Sequence, residues 1–185
     1  VAGVHKGRAI IAPKGDTTRP TTDRVRESVF NKLTHAPWGV ELAGARVLDL
    51  FAGSGALGFE AISRVASFTL FVETDPAARG AIRSNVDALQ LFGCTKLHRR
   101  SATDLGPKPE KVGTPFDLVF LDPPYDEGLG DIALAKLIEG AWVTDDALAV
   151  LEERKGVEVE APGWQLLDTL EAGDTVVRFF RREDA

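Results

Sequence analysis

The chain of 185 residues contains one cysteine, three histidines, one tyrosine and no methionine. A lone thiol, Cys94, cannot close an intrachain disulfide, and His5, His35 and His98 are too scattered for metal-ligand spacing, so no metal site is expected. No stretch approaches the roughly 18 consecutive apolar residues that a membrane span needs. The first ten residues lack a signal peptide's apolar core, so a cytosolic chain away from membranes is expected. With Val1 first, the initiator is expected to lie upstream. At 44% hydrophobic and 27% charged residues the composition is that of an ordinary globular protein, which excludes disordered, collagenous and membrane classes. The length points to one domain over 1–185.

Acidic net charge, −6, hides an asymmetry. Residues 1–35 carry seven basic side chains (Lys6, Arg8, Lys14, Arg19, Arg24, Arg26, Lys32) against Asp16, Asp23 and Glu27, a net +4, whereas 36–185 carry −10. A basic extension on an acidic core suggests a polyanionic partner held at one end, because Lys and Arg that neutralise phosphates dominate nucleic-acid affinity. The alternative is a solvated, charged arm.

Apolar runs rich in β-branched and aromatic residues recur at Arg46–Phe51, Ser67–Glu73, Phe116–Asp122 and Ala147–Glu152, with helical patterns between them. That alternation is a βαβ layout, and runs without polar alternation suit parallel strands covered on both faces. Asp75-Pro76 offers an N-cap acceptor followed by proline at N1, and Ile82, Val86 and Leu89 form the stripe of the helix it opens. A weaker strand follows over Thr95–Arg100, and Gly128–Gly140 reads as another helix. Trp164–Leu170 and Thr175–Phe180 flank Glu171-Ala172-Gly173-Asp174, a four-residue hairpin connection, so the last strand should be antiparallel. Upstream, Pro20-Thr21-Thr22-Asp23 caps a helix whose Val25, Val29 and Leu33 recur at i+4, leaving Arg24, Arg26 and Glu27 elsewhere on its surface.

The first chemical motif is Arg46-Val-Leu-Asp-Leu-Phe-Ala-Gly-Ser-Gly-Ala-Leu-Gly58, a strand running through G-x-G-x-x-G into a helix. Glycines let a backbone turn tightly and approach a ligand, and Glu73, twenty residues after Gly53, suits a ribose hydroxyl. A nicotinamide dinucleotide and S-adenosylmethionine fit this much equally well. Asp49 separates them: a carboxylate at that strand's end would repel a pyrophosphate and suit a cationic ammonium group. The plainer alternative is a glycine turn with Asp49 satisfied locally.

The second motif is Asp122-Pro123-Pro124-Tyr125, closing a buried strand with the chain's one tyrosine. Two prolines stiffen the loop and remove two backbone donors. The Asp122 carboxylate and an exposed Pro123 carbonyl would then accept from both N–H groups of a planar exocyclic amine, with Tyr125 stacking on its ring. An aryl amine is weakly nucleophilic, and orienting its lone pair gains rate by positioning without a strong base. The alternative is a proline-stiffened turn with a core tyrosine.

These residues resemble the class I methyltransferases, and more closely the bacterial 16S ribosomal RNA guanine-N2 methyltransferase family, RsmD, over nearly the whole chain. Three segments carry the resemblance: Gly7-Arg8 with Thr18-Arg19-Pro20-Thr21-Thr22-Asp23-Arg24-Val25-Arg26-Glu27-Ser28-Val29-Phe30-Asn31, then Leu48–Gly55, then Asp122–Tyr125. The latter two are shared by many amino-methylating enzymes, and the first is the specific one. The resemblance implies a Rossmann-like α/β fold, a mostly parallel seven-stranded sheet with the last strand antiparallel, as a core (36–185) under a basic N-terminal extension (1–35) covering the cofactor and RNA side. It implies S-adenosylmethionine as cofactor, with Asp49 and Gly53 lining its methionine end, Glu73 holding its ribose, and Phe51, Gly55 and Asp122 also contacting it. Where such enzymes carry an acid beside the adenine this chain has Ser101, so the Ser101 hydroxyl or the Ala102 amide would serve. Asp122, Pro123 and Tyr125 become the catalytic set, Arg8, Arg19, Arg24 and Arg26 the RNA contacts, and 16S ribosomal RNA, free or in the assembling 30S subunit, the partner of a monomeric enzyme.

Arg99-Arg100 reads as a solvated pair at a strand end, and Trp38, Trp142 and Trp164 as packing residues. The rivals are an adenine-N6 methyltransferase acting on DNA or RNA, a nicotinamide-dependent oxidoreductase, and a non-catalytic RNA-binding assembly factor on the same fold.

Overall fold

The computed structural model describes residues 23–183. In chain order the elements are α1 (Asp23–His35), β1 (Arg46–Leu50), α2 (Ala56–Ser63), β2 (Phe68–Val72), α3 (Pro76–Leu89), β3 (Thr95–His98), β4 (Phe116–Leu121), α4 (Leu129–Glu139), β5 (Val143–Arg154), β6 (Trp164–Ala172) and β7 (Thr175–Arg182). The strands form one sheet of order β3-β2-β1-β4-β5-β7-β6. β1 to β5 are parallel, and β7 runs antiparallel to both β5 and β6. Among the described residues no helix is long and apolar enough to cross a membrane.

Cover on both faces explains the unbroken apolar runs. On one face Val47, Phe71, Phe120, Val150 and Phe179 meet Phe30 of α1, Phe59 of α2 and Ile82 of α3. On the other, Leu48, Leu50, Val119, Leu121 and Leu151 meet Leu134 and Leu137 of α4 together with Trp142 and Trp164. Both tryptophans satisfy their indole N–H on a backbone carbonyl, Trp142 on Gly106 at 2.8 Å and Trp164 on Leu134 at 3.1 Å. α1 is therefore part of the core. Phe30 is fully buried, with its ring 5.5 Å from that of Phe120, and truncating it to alanine would cost about 3–5 kcal/mol.

Three local expectations change. The hairpin connection is two residues, Gly173-Asp174, because β6 and β7 stay paired through Ala172 and Thr175 and Gly173 takes the positive φ (58°) that a tight turn needs. β5 starts at Val143, since exposed Asp145 and Asp146 lie in an irregular stretch where the register against β4 slips. Arg26 is buried at 7% exposure, contrary to its expected surface position: Nη2 lies 2.6 Å from Asp23 Oδ1, and Nε lies 3.4 Å from Oε1 of Glu60, itself 3% exposed. Arg64 Nε takes the other oxygen of Glu60 at 2.9 Å, so the two arginines join α1 to α2 across one buried carboxylate.

Candidate active site

Strand order reverses between β1 and β4, which pair in parallel with Leu50 beside Leu121. The glycine loop and the Asp-Pro-Pro-Tyr loop thus leave neighbouring strands at their carboxyl ends. That is the crevice where open α/β sheets bind ligands.

The chain turns off β1 at Phe51 (φ 53°), an uncommon left-handed conformation for a large side chain, and continues through Gly53 (φ 59°) and Gly55 (φ 84°). Gly55 N-caps α2 without any side-chain cap. Gly58 lets α2 lie against the sheet: a Cβ there would stand 2.5 Å from the Phe71 ring and 2.8 Å from Thr69 Cγ2. The third glycine of the fingerprint is a packing residue, as helix–strand contact requires.

Two buried acids hold this loop. Asp49, 2% exposed, turns Oδ2 under α2 and accepts from the Gly58 amide at 3.1 Å. Burial pushes its carboxyl well above the ordinary carboxylate range, the Gly58 hydrogen bond opposes that, and the neighbouring Glu73 charge adds to it. Glu73, 7% exposed, spans the gap from β2: Oε1 accepts from the Gly53 amide at 2.8 Å, and Oε2 from the Thr74 and Asp75 amides at 2.9 Å each. The twenty-residue spacing thus brings Glu73 onto the first glycine. Local satisfaction, the plainer alternative for Asp49, describes the Oδ2 contact.

Past β4, Asp122 and Tyr125 are half-buried. Taken as whole residues, Pro123 is buried and Pro124 exposed. Tyr125 is held from a distance. Its hydroxyl hydrogen-bonds with Thr175 Oγ1 at the start of β7 and donates to Glu152 Oε1 on β5 at 3.4 Å. The Arg154 guanidinium lies 5.2 Å from the centre of the ring and also pairs with Asp126 at 2.9 Å. The Asp126 amide, in turn, donates to Glu153 at 3.3 Å. Sequence reading missed Glu152, Glu153, Arg154 and Thr175. The one available signal was a pair of acids at the carboxyl end of an apolar strand, which burial at 7% and 3% makes unusual.

Ser101 Oγ hydrogen-bonds Thr103 Oγ1 at 2.8 Å and accepts from the Thr103 amide at 3.3 Å, and Ala102 is buried against the α4 face of the sheet. Of the expected RNA contacts, Arg24 is exposed, Arg26 is enclosed, and Arg8 and Arg19 lie outside the described residues.

Three buried or half-buried acids, Asp49, Glu73 and Asp122, thus stand at the ends of β1, β2 and β4. This set of acceptors fits a ligand that is cationic and rich in hydroxyls, and it disfavours a pyrophosphate.

Comparison with known proteins agrees with this geometry. The family model described as conserved hypothetical protein 95 matches residues 1–181. The chain is 36% identical to the Escherichia coli ribosomal RNA small subunit methyltransferase D over 185 residues, covering 99% of this chain and 89% of that protein. The solved structure of Escherichia coli yhhF, described as a methyltransferase, superposes with a TM-score of 0.83 at 35% identity and covers 100% of this chain and 97% of its own. An RNA methyltransferase from Salinibacter ruber, solved with S-adenosyl-L-homocysteine, shares the fold with a TM-score of 0.66 at 14% identity, covering 90% of this chain and 95% of its own. The fold is that of the class I methyltransferases, and the chain belongs to the conserved hypothetical protein 95 family, the RsmD family of methyltransferases.

Proposed function

We propose that this protein transfers a methyl group from S-adenosylmethionine to the exocyclic N2 amine of one guanine in small-subunit ribosomal RNA. The observation that carries the reading is the meeting of the glycine loop and Asp122–Tyr125 at the point where strand order reverses, in a chain of the RsmD family. Bound S-adenosylmethionine supplies an electrophilic methyl on a sulfonium centre. The chain's residues do the rest by positioning. Gly53 and the uncapped start of α2 take the methionine end, Glu73 takes the ribose while bracing the loop, and the buried Asp49 carboxyl is favoured in its ionised form by a cation nearby. Asp122 and the Pro123 carbonyl accept from the amine's N–H groups and aim its lone pair. Tyr125 stacks on a base swung out of its helix, and water carries off the proton released after attack. Arg24 and the basic extension hold the RNA backbone, and the whole chain works as a single domain.

The test uses labelled S-adenosylmethionine with 30S subunits, free 16S RNA and DNA, for the parent protein and Asp122→Ala. Label mapped to a guanine N2 of the RNA and lost in the variant is the expected result. Label on adenine would transfer the substrate to the N6 amine, and an Asp122→Ala protein that still methylates would remove Asp122 from the mechanism.

A further inference from the structure

Among the described residues β3 is an outermost strand, with no strand beside one side of its backbone. From Thr95 to Gly113 the chain carries five cations, Lys96, Arg99, Arg100, Lys108 and Lys111, against two acids, Asp104 and Glu110. The return loop brings them together: Lys96 Nζ donates to the Lys111 carbonyl at 3.5 Å, and Lys108 Nζ to the Gly113 carbonyl at 2.6 Å. Lys96 and His98 share a strand face by alternation. His98 registers the crowding, since after burial the charges of Lys111, Arg100 and Lys96 all lower its affinity for a proton. Among the described residues none of the five cations forms an ion pair, whereas Arg26, Lys32, Arg64, Arg154 and Lys155 each hold a carboxylate. One lysine on an edge strand is enough to discourage edge-to-edge pairing. Massing four more cations beside it, unpaired, in a core of net −10 raises a self-repulsion that a polyanion relieves.

From these contacts we infer that the β3 edge and the loop returning beside it form a second phosphate-binding surface, which holds the RNA backbone away from the reacting base. The inference rests on the RNA reading above and extends it to a face that the basic extension was not needed to explain. The track ends at the site: the His98 carbonyl accepts from the Glu73 amide at 3.1 Å. β3 stands three strand positions from β4, about 14 Å, so phosphates flanking a base at Tyr125 lie within its reach.

The test is the double variant Lys96→Glu/Lys111→Glu, with binding to 30S subunits and to a 16S RNA fragment measured across a salt series. Affinity should fall at least about tenfold at low salt, and the slope of log affinity against log salt should become shallower by about 1.5, two phosphate contacts being lost. Lys96→Gln/Lys111→Gln should give the same change in slope with a smaller loss. Turnover at saturating RNA and the rise in Tm on adding S-adenosylmethionine should match the parent, which shows the fold intact. Unchanged affinity and slope would overturn the proposal, and self-association of the variant on gel filtration would assign the lysines to edge protection alone. Failure of the parent protein itself to bind any RNA would instead sink the RNA reading, and this surface with it.

Discussion

The two loops of the site are built on opposite plans. The glycine loop after β1 is held by backbone amides on two buried acids, Asp49 and Glu73, that belong to its own strand and the next. The Asp-Pro-Pro-Tyr loop after β4 is held largely through the Tyr125 side chain, by Glu152 and Arg154 of neighbouring β5 and Thr175 of β7 beyond it. A backbone-held loop resists side-chain change and presents fixed dipoles. A side-chain-held loop can be tuned one contact at a time. The first plan suits a cofactor that is the same in every turnover, and the second suits a substrate base whose seat must be set finely.

The largest expected effect lies on the backbone-held side. Gly58→Ala puts a methyl 2.5 Å from the Phe71 ring and 3.0 Å from Asp49 Oδ2, so α2 must back away from the sheet. Overpacking of this kind costs about 2 kcal/mol, which for a chain of this size lowers Tm by roughly 4–8 °C. The rise in Tm on adding S-adenosylmethionine should shrink with it, because the loop moves with the helix. Thermal melts with and without cofactor check both.

Next comes Tyr125→Phe, which keeps the ring and removes the hydroxyl that Thr175 and Glu152 hold. We expect kcat to fall about tenfold, equivalent to about 1.4 kcal/mol of positioning, with the cofactor-induced rise in Tm unchanged. Thr175→Val should reproduce part of that loss, and the double variant should be no worse than Tyr125→Phe alone, since both remove one hydrogen bond. Additive losses would show that Thr175 acts elsewhere. Loss of cofactor binding in Tyr125→Phe would erase the distinction between the loops.

The same division decides what the sequence made legible. The strands, the seven-stranded sheet with β7 antiparallel and the capping of α3 by Asp75 were readable because each rests on local pattern: apolar runs, a turn, an acceptor before proline. The twenty-residue spacing of Glu73 from Gly53 was readable as well, but the hydrogen bond between them was not foreseen. The clamp on Tyr125 was not, because Glu152 and Thr175 lie 27 and 50 residues away and reach it only through sheet order. Arg26 was misplaced for a related reason. The i+4 stripe of Val25, Val29 and Leu33 left it on the outer face of α1, whereas Glu60 of another helix draws it inward.

The smallest effect is the most telling about the cofactor side. Asp49 is enclosed and its carboxyl holds its proton more tightly in the folded protein than in the unfolded chain, first through burial and further through Glu73. A carboxyl whose affinity for protons rises on folding stabilises the fold below its unfolded pKa, about 3.9, and that contribution drains away as pH climbs from there through the raised native value. At neutral pH, then, the buried Asp49 carboxyl works against the protein without cofactor. Asp49→Asn keeps an oxygen for the Gly58 amide and removes the charge, so Tm without cofactor should rise by a few degrees at pH 7 and the gain should vanish near pH 4. With S-adenosylmethionine present the order should invert, because the cation that offsets the buried charge in the parent finds no partner in the variant. Melts of both proteins across this pH range, with and without cofactor, separate the two contributions. A variant of unchanged stability with an undiminished cofactor response would make Asp49 a neutral brace for Gly58, leaving Glu73 and Asp122 as the acids that select a cationic cofactor over a pyrophosphate.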